Sequence, residues 1–144
     1  RVTNRHDSEA SIRGIDLQSR LEDGLPAVEA EQSLLERSVD NLLINALKFT
    51  PAGGRVVLSS GKRGNEVLVT VADTGPGIPS DDLEKIFDIG WRRSVDAKKE
   101  GSGLGLHIVK TMVHAIGGRL EVESIVGSGT HFSVSLPAVG VSRV

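Results

Sequence analysis

Three groups of residues in this chain have the types and spacing that suit chemistry on a nucleoside triphosphate. Asn41, Asn45 and Lys48 lie within a segment of helical periodicity, so they project from one helix face, opposite the apolar stripe. Carboxamide oxygens suit a hard cation such as magnesium, which keeps several waters and takes few protein ligands, and a Lys ammonium one turn on suits phosphate oxygens. Taken alone, such a row reads more readily as a solvated helix face, and it needs the other groups beside it. The second group is Asp73-Thr74-Gly75-Pro76-Gly77-Ile78-Pro79, directly after the apolar run Val67-Leu68-Val69-Thr70-Val71. A carboxylate at Asp73 can accept a hydrogen bond from the exocyclic amino group of adenine. Guanine would present a carbonyl oxygen there and leave two acceptors facing each other, so ATP would be selected over GTP. Gly75 and Gly77 would let the backbone approach the base; a plain turn is the alternative, but this heptad is fairly specific. The third group, Gly101-Ser102-Gly103-Leu104-Gly105-Leu106, leads into a helix. Unpaired amides there, at Gly103 and Gly105 above all, can face phosphate without any side chain. The spacing is not that of a Rossmann fingerprint, and the Lys-Ser/Thr of a P-loop is missing.

These groups need elements to hold them. Residues 1–14 mix charge, Ser and Gly without periodicity and are expected to be a linker or the tail of an upstream element. Alternation over 15–21 suggests a strand ended by Asp23-Gly24. Over 29–49, Leu35, Val39, Leu42, Leu43, Ala46 and Leu47 recur at three- and four-residue intervals, which predicts a helix with one buried stripe. Pro51 and Gly53-Gly54 end it. Residues 55–60 and 66–72 form a predicted hairpin around a turn at 61–65, and 119–124 with 130–136 form a second one. Between the hairpins, Gly75, Gly77, Gly90, Gly101 and Gly103 mark loops, and a helix over 105–116 stops at a Gly117-Gly118 left-handed cap. Residues from Ala138 onward are expected to fray.

Composition narrows the classes. The 144 residues suit one domain, spanning 15–137 with a C-terminal tail at 138–144, and long enough to bury a core. Hydrophobic residues make up 38% and aromatics only 3%, so packing must be aliphatic. A net charge of -2 offers no basic field for a nucleic-acid backbone, and no stretch approaches the roughly 20 apolar residues that span a bilayer. With no cysteine there is neither a disulfide framework nor a thiolate metal site, which fits a reducing compartment. The start at Arg1-Val2-Thr3 reads as a piece of a longer protein.

Taken in order, with Ile86-Phe87 between the second and third groups and Gly127-Ser128-Gly129-Thr130 after them, these motifs resemble the histidine-kinase ATPase family over residues 15–137. Asn41-Leu42-Leu43-Ile44-Asn45-Ala46-Leu47-Lys48-Phe49-Thr50 is similar to its N box, residues 73–79 to its first glycine box, Phe87 to its F box and residues 101–106 to its second glycine box. The resemblance implies an α+β, two-layer α/β sandwich, the Bergerat ATP-binding fold. In it a mixed, mostly antiparallel sheet is covered on one face by helices, and a mobile lid closes over the ATP. It further implies that Asn45 ligates Mg2+ with support from Asn41, that Lys48 touches the phosphates, and that Asp73 reads adenine with Thr130 assisting. Gly75, Gly77, Ile78, Phe87, Gly101, Gly103, Leu104, Gly105 and Leu106 would line the nucleotide. The lid would run over about 88–102, with Arg92 meeting the γ-phosphate; Arg93, Lys98 or Lys99 could serve instead. Ile89-Gly90-Trp91 departs from the basic and aromatic run usual in relatives.

One position bears on what is done with the ATP. Hydrolytic relatives place a Glu one turn before the metal-binding Asn, where it orients water; here that position is Asn41, which cannot act as a base. Glu36 and Asp40 lie off that face, which favours transfer to another acceptor. The phosphate-accepting histidine of such kinases is followed by an acidic residue and then a proline. His6-Asp7 has no proline before Pro26 and is expected to be linker, while His107, His114 and His131 read as structural or exposed. The resemblance therefore implies the donor half of a sensor histidine kinase. Its partners would be a dimerisation and phosphoacceptor domain of the same homodimeric parent and a response regulator, with no nucleic acid involved. The domain alone would be monomeric and cytoplasmic, and any membrane anchor would belong to the parent. A serine kinase acting on an anti-anti-sigma factor, or a nucleotide-binding module without transfer activity, are the alternatives.

Overall fold

The structure is a computed structural model and describes residues 2–22, 32–88 and 105–138. In chain order its elements are α1 (Val2–Arg13), β1 (Asp16–Arg20), α2 (Gln32–Phe49), β2 (Arg55–Arg63), β3 (Glu66–Asp73), a 3₁₀ turn (Ser80–Asp82), α3 (Gly105–Ala115), β4 (Arg119–Ile125) and β5 (Gly129–Pro137). Helix α2 forms on the periodicity of its apolar residues: Val39, Leu42, Leu43, Ala46 and Leu47 are all buried. Burying each Val or Leu of that stripe contributes about 1.5–3 kcal/mol. In α3, Leu106, Val109 and Val113 do the same, and Ile116 follows them into the core. The helix stops at Gly117-Gly118, where the Gly118 N–H donates to Val113 O.

The sheet has the order β1-β2-β3-β5-β4. Its β1–β2 pair is parallel and the others are antiparallel. A parallel pair needs a crossover, and α2 provides it between β1 and β2. The first hairpin is tighter than expected. Gly61 and Lys62 pair with Leu68 and Val67, which leaves a two-residue turn at Gly64-Asn65. Helix α2 packs on β2 and β3, α3 on β4 and α1 on β1, while α2 also touches both other helices. The helices therefore form one layer, and the core lies between them and the sheet residues Val56, Leu58, Val71, Phe132, Val134 and Leu136. This is the expected two-layer α+β sandwich.

Residues 2–13, expected to be a linker or the tail of an upstream element, form α1, and contacts rather than periodicity hold it there. Ala10 is buried, His6 Nε2 and Asp40 Oδ1 of α2 are 3.0 Å apart, and Arg13 is paired one turn on with Glu9. The chain turns at Gly14, where the Ile15 N–H donates back to Ala10 O. At the other end Ala138 is not frayed: it is fully buried, and its N–H donates to Asn65 O at the first hairpin turn. Among the described residues, no helix is long and apolar enough to cross a membrane.

Candidate functional site

Asp73 is the last residue of β3, and its half-buried carboxylate stands where the sheet meets the end of α2. Oδ1 accepts the Gly75 N–H at 2.8 Å, which curls the chain back under the carboxylate. Thr74 holds the next step of the turn: its N–H donates to Arg55 O at 3.1 Å and its hydroxyl accepts the Arg55 N–H at 2.9 Å. A Cβ on Gly75 would stand 3.0 Å from Asp73 Oδ1, 3.4 Å from Phe49 O and 3.6 Å from Thr50 Cα. Glycine at this position therefore lets the end of α2 close onto the carboxylate.

The rest of the heptad is held by the second hairpin. Gly77 has φ 79°, and a Cβ on it would stand 2.4 Å from Ile125 O. Its smallness thus serves contact with the β4–β5 turn. The Gly127 N–H donates to Pro76 O at 2.9 Å across the same contact. Buried Ile78 donates its N–H to Ser124 Oγ at 2.7 Å. Ser124 Oγ also lies 3.0 Å from Gly129 O and 2.9 Å from Thr130 Oγ1. If the single Ser124 proton goes to Gly129 O, the Thr130 hydroxyl must donate to Ser124. Thr130, almost fully buried, sits directly across from Asp73 in the β3–β5 register. Gly129 makes this pairing possible, because a Cβ there would stand 1.9 Å from Asp73 O.

On α2, Asn41, Asn45 and Lys48 share a face as expected, but they are half-buried rather than fully solvated. Lys48 Nζ lies 5.2 Å from the centroid of the Phe49 ring. Among the described residues no three His, Cys, Asp or Glu side chains group to hold a metal. A carboxamide pair offering few protein oxygens is what magnesium accepts when phosphates and water complete its shell, so Asn41 and Asn45 fit that ion.

Phe87 is anchored rather than free. Its ring meets Phe132 edge-on at 6.5 Å, Lys110 Nζ lies 5.4 Å from its centroid, and its carbonyl lies 3.3 Å from His107 Nδ1. His107 is thus structural, as expected, while His114 and His131 are exposed. His6 belongs to α1 and faces Asp40, so it has a structural partner in place of the linker role expected for it. Phe87, Asp88, His107, Lys110, Thr111 and His114 line an open cleft of about 560 Å³ beside α3. Gly105 opens α3 at the surface; the Leu106 side chain is buried in the core, which leaves its backbone for any ligand contact. Arg92, Gly101, Gly103 and Leu104 lie outside the described residues, as do Arg93, Lys98, Lys99 and the run at 89–91. The structure brings together Asp73, Gly75, Thr130 and the end of α2, and it packs α2 beside α3.

Two residues packed at this corner carry no assignment from the sequence. Ser124 looks like any polar residue of an alternating strand, and nothing local marks it as the joint of three hydrogen bonds. Thr50 was visible as the last residue of the N box, but its burial is a tertiary property.

The geometry now has a class. A profile of the histidine kinase-, DNA gyrase B- and HSP90-like ATPases matches residues 30–140, and the chain belongs to this family. Within it, similarity runs to sensor kinases, and the chain is an ATP-binding catalytic domain of that kind. It is 44% identical over 114 residues to the adaptive-response sensory kinase SasA of Synechococcus sp. (strain JA-3-3Ab), covering 78% of this chain and 30% of that protein. It is 42% identical over 114 residues to the sensor histidine kinase WalK of Bacillus subtilis (strain 168), covering 76% of this chain and 19% of WalK. The chain thus spans less than a third of these relatives. Among solved structures, the catalytic domain of histidine kinase ThkA superposes with a TM-score of 0.82 at 27% identity, covering 95% of this chain and 88% of that one. Full-length ShkA in complex with AMPPNP gives a TM-score of 0.82 at 31% identity, covering 99% of this chain and 30% of ShkA.

Proposed function

We propose that this domain binds magnesium-bound ATP and donates its γ-phosphoryl group to a histidine on a separate helical dimerisation domain of the same parent protein. From there the phosphate passes to an aspartate of a response regulator. Asp73 reads the adenine amino group, with Thr130 and Ser124 fixing the strand end that carries it. Asn45 and Asn41 hold the magnesium, which when bound neutralises phosphate charge. Lys48 meets the phosphates, Gly75, Gly77 and Ile78 shape the floor of the base pocket, and Phe87 buttresses its far side. The amides at Gly101, Gly103, Leu104, Gly105 and Leu106 cradle the triphosphate, and Arg92 meets the γ-phosphate. The domain works in the cytoplasm.

The observation that carries transfer over hydrolysis is the fate of the acids near Asn45. Position 41, one turn before it, is Asn, and the carboxylate beside it in sequence, Asp40, lies 3.0 Å from His6 on the α1 side. A water beside the γ-phosphate therefore lacks a base on α2, whereas phosphoryl transfer needs mainly positioning and charge neutralisation. The relatives named as sensor kinases support the same reading. Incubating the chain with γ-labelled ATP and candidate acceptor domains tests it. Acid-labile label on the acceptor is the expected result. Acid-stable label would make it a serine kinase, and ATP binding with no label on any acceptor would make it a binding module.

A further inference from the structure

One peptide group at the Asp73 end of β3 has two possible roles and can fill only one. In the β2–β3 register Val56 faces Asp73, so the next opposed pair is Arg55 and Thr74. A hydrogen-bonded pair in an antiparallel ladder exchanges both of its main-chain bonds. Here the first is made, with the Thr74 N–H donating to Arg55 O at 3.1 Å, but the Arg55 N–H goes to Thr74 Oγ1 at 2.9 Å. The side chain has taken the place of the Thr74 carbonyl. That carbonyl belongs to the same planar peptide as the Gly75 N–H, and the two point in opposite directions. Kept in the ladder, the peptide would lie in the sheet. The Gly75 N–H could not then turn to Asp73 Oδ1, which it reaches at 2.8 Å.

The neighbouring strand leaves room for this arrangement. A Cβ on Gly54 would stand 2.9 Å from Thr74 Oγ1, 2.4 Å from Thr50 Cγ2 and 3.0 Å from Pro51 O. Gly54 is not among the described glycines with positive φ, so space for those groups, and not backbone strain, calls for glycine there. We infer that Thr74 is a positioning residue for base recognition: its hydroxyl replaces its own carbonyl at the last rung of the β2–β3 ladder and frees the next peptide to fix the Asp73 carboxylate. It acts through Gly75 and Asp73 rather than by contact with the nucleotide. This rests on the reading that Asp73 reads adenine. A carboxylate tethered by an amide keeps one orientation, so less side-chain freedom is lost when the base arrives. The role needs an acceptor on a short side chain, which Thr and Ser supply and Val does not.

Thr74→Val removes the acceptor at nearly constant shape, and Thr74→Ser keeps it. Two measurements on the full chain read the result: calorimetric titration with ATP, GTP and base-free ribose 5-triphosphate, and NMR exchange of the Gly75 amide without nucleotide. Thr74 is exposed, so water can take the Arg55 N–H in the valine variant, and the effect is bounded by one hydrogen bond. Thr74→Val is expected to weaken ATP about three- to tenfold, leave ribose 5-triphosphate unchanged, and speed exchange at Gly75 at least about threefold relative to Val69 and Val71 in mid-strand. The melting temperature should stay within about 3 °C of the parent. Thr74→Ser should restore both readouts to within about twofold. Unchanged ATP affinity in Thr74→Val would overturn the inference, as would an equal loss for ATP and the base-free ligand, or a serine variant as impaired as the valine one. Should Thr74→Val not fold, Thr74→Ala is judged by the same ratios. Asp73→Asn, run in parallel, separates the layers. If it leaves the preference for ATP over GTP intact, the adenine reading fails and the role of Thr74 with it; if it destroys that preference while Thr74→Val is silent, only the role of Thr74 fails.

Discussion

Strand β3 begins and ends in polar clusters that are built on opposite plans. At the Glu66 end, Arg119 Nη2 lies 3.0 Å from Glu66 Oε1, and Arg63 Nη2 lies 2.9 Å from Glu121 Oε1, 3.2 Å from Ser135 Oγ and 3.6 Å from Glu66 Oε1. The charged side chains there are 31–60% exposed, and every charge answers another. At the Asp73 end the groups are buried or half-buried, joined through backbone amides and hydroxyls, and one hydroxyl is left over. An exposed network that closes on itself has nothing to offer a ligand and adds little to stability in water. A buried network with an open valence costs stability unless something completes it. The same strand therefore carries a solvated rim at one end and the proposed base-recognition site at the other, and burial makes the difference.

The contrast can be broken most directly at Asp73. Asp73→Asn should cut ATP affinity at least about a hundredfold while leaving the melting temperature near that of the parent, since the carboxylate serves the ligand. Unchanged affinity in a calorimetric titration would remove the recognition role from this end of β3. Ser124→Ala should do intermediate damage of a mixed kind. It orphans the Ile78 N–H and the Thr130 hydroxyl, so urea denaturation should show a loss of about 1–3 kcal/mol with a modest fall in ATP affinity. Stability equal to that of the parent would mean that the hydroxyl joint is dispensable.

The smallest effect belongs to the rim. The hydrogen bond from Arg63, opposed by the cost of burial and aided by the charges of Arg63 and Arg119, holds the Glu121 carboxyl below its ordinary value. A depressed carboxyl stabilises the fold above its unfolded-state pKa, and that contribution is lost as pH falls through the folded-state value. Glu121→Gln should therefore lower the melting temperature by no more than about 2 °C at neutral pH, and the gap to the parent should close below the usual carboxylate range. Its ATP affinity should equal that of the parent. A loss of nucleotide binding in this variant would mean that the two ends of β3 are coupled.

Much of this was legible in the linear pattern. The stripe Val39, Leu42, Leu43, Ala46, Leu47 fixes a helix because side chains three and four residues apart share a face in any α-helix. The alternating runs ahead of Asp73 and around Gly127-Ser128 give the hairpins because a strand has a period of two. Asp73, Gly75, Asn45 and Lys48 stood out because the motifs that hold them follow one another in an order that suits a nucleotide site, although each motif alone reads as a helix face or a turn. Helix α1 could not be read this way, since Ala10, the well-buried side chain among its described ones, sets no period and its docking depends on Asp40, 34 residues from His6.

What the chain decides by itself is therefore local: which segments coil, which extend, where they turn, and which chemical groups they carry. Folding in three dimensions decides which strand ends meet. That places Thr130 across from Asp73, sets Ser124 as the joint between a loop and a strand, packs Gly77 against the β4–β5 turn, and buries the Thr50 hydroxyl without a partner. The physical reason is that backbone preference and hydrophobic period act over a few residues, whereas burial and hydrogen-bond satisfaction depend on neighbours supplied from anywhere in the chain.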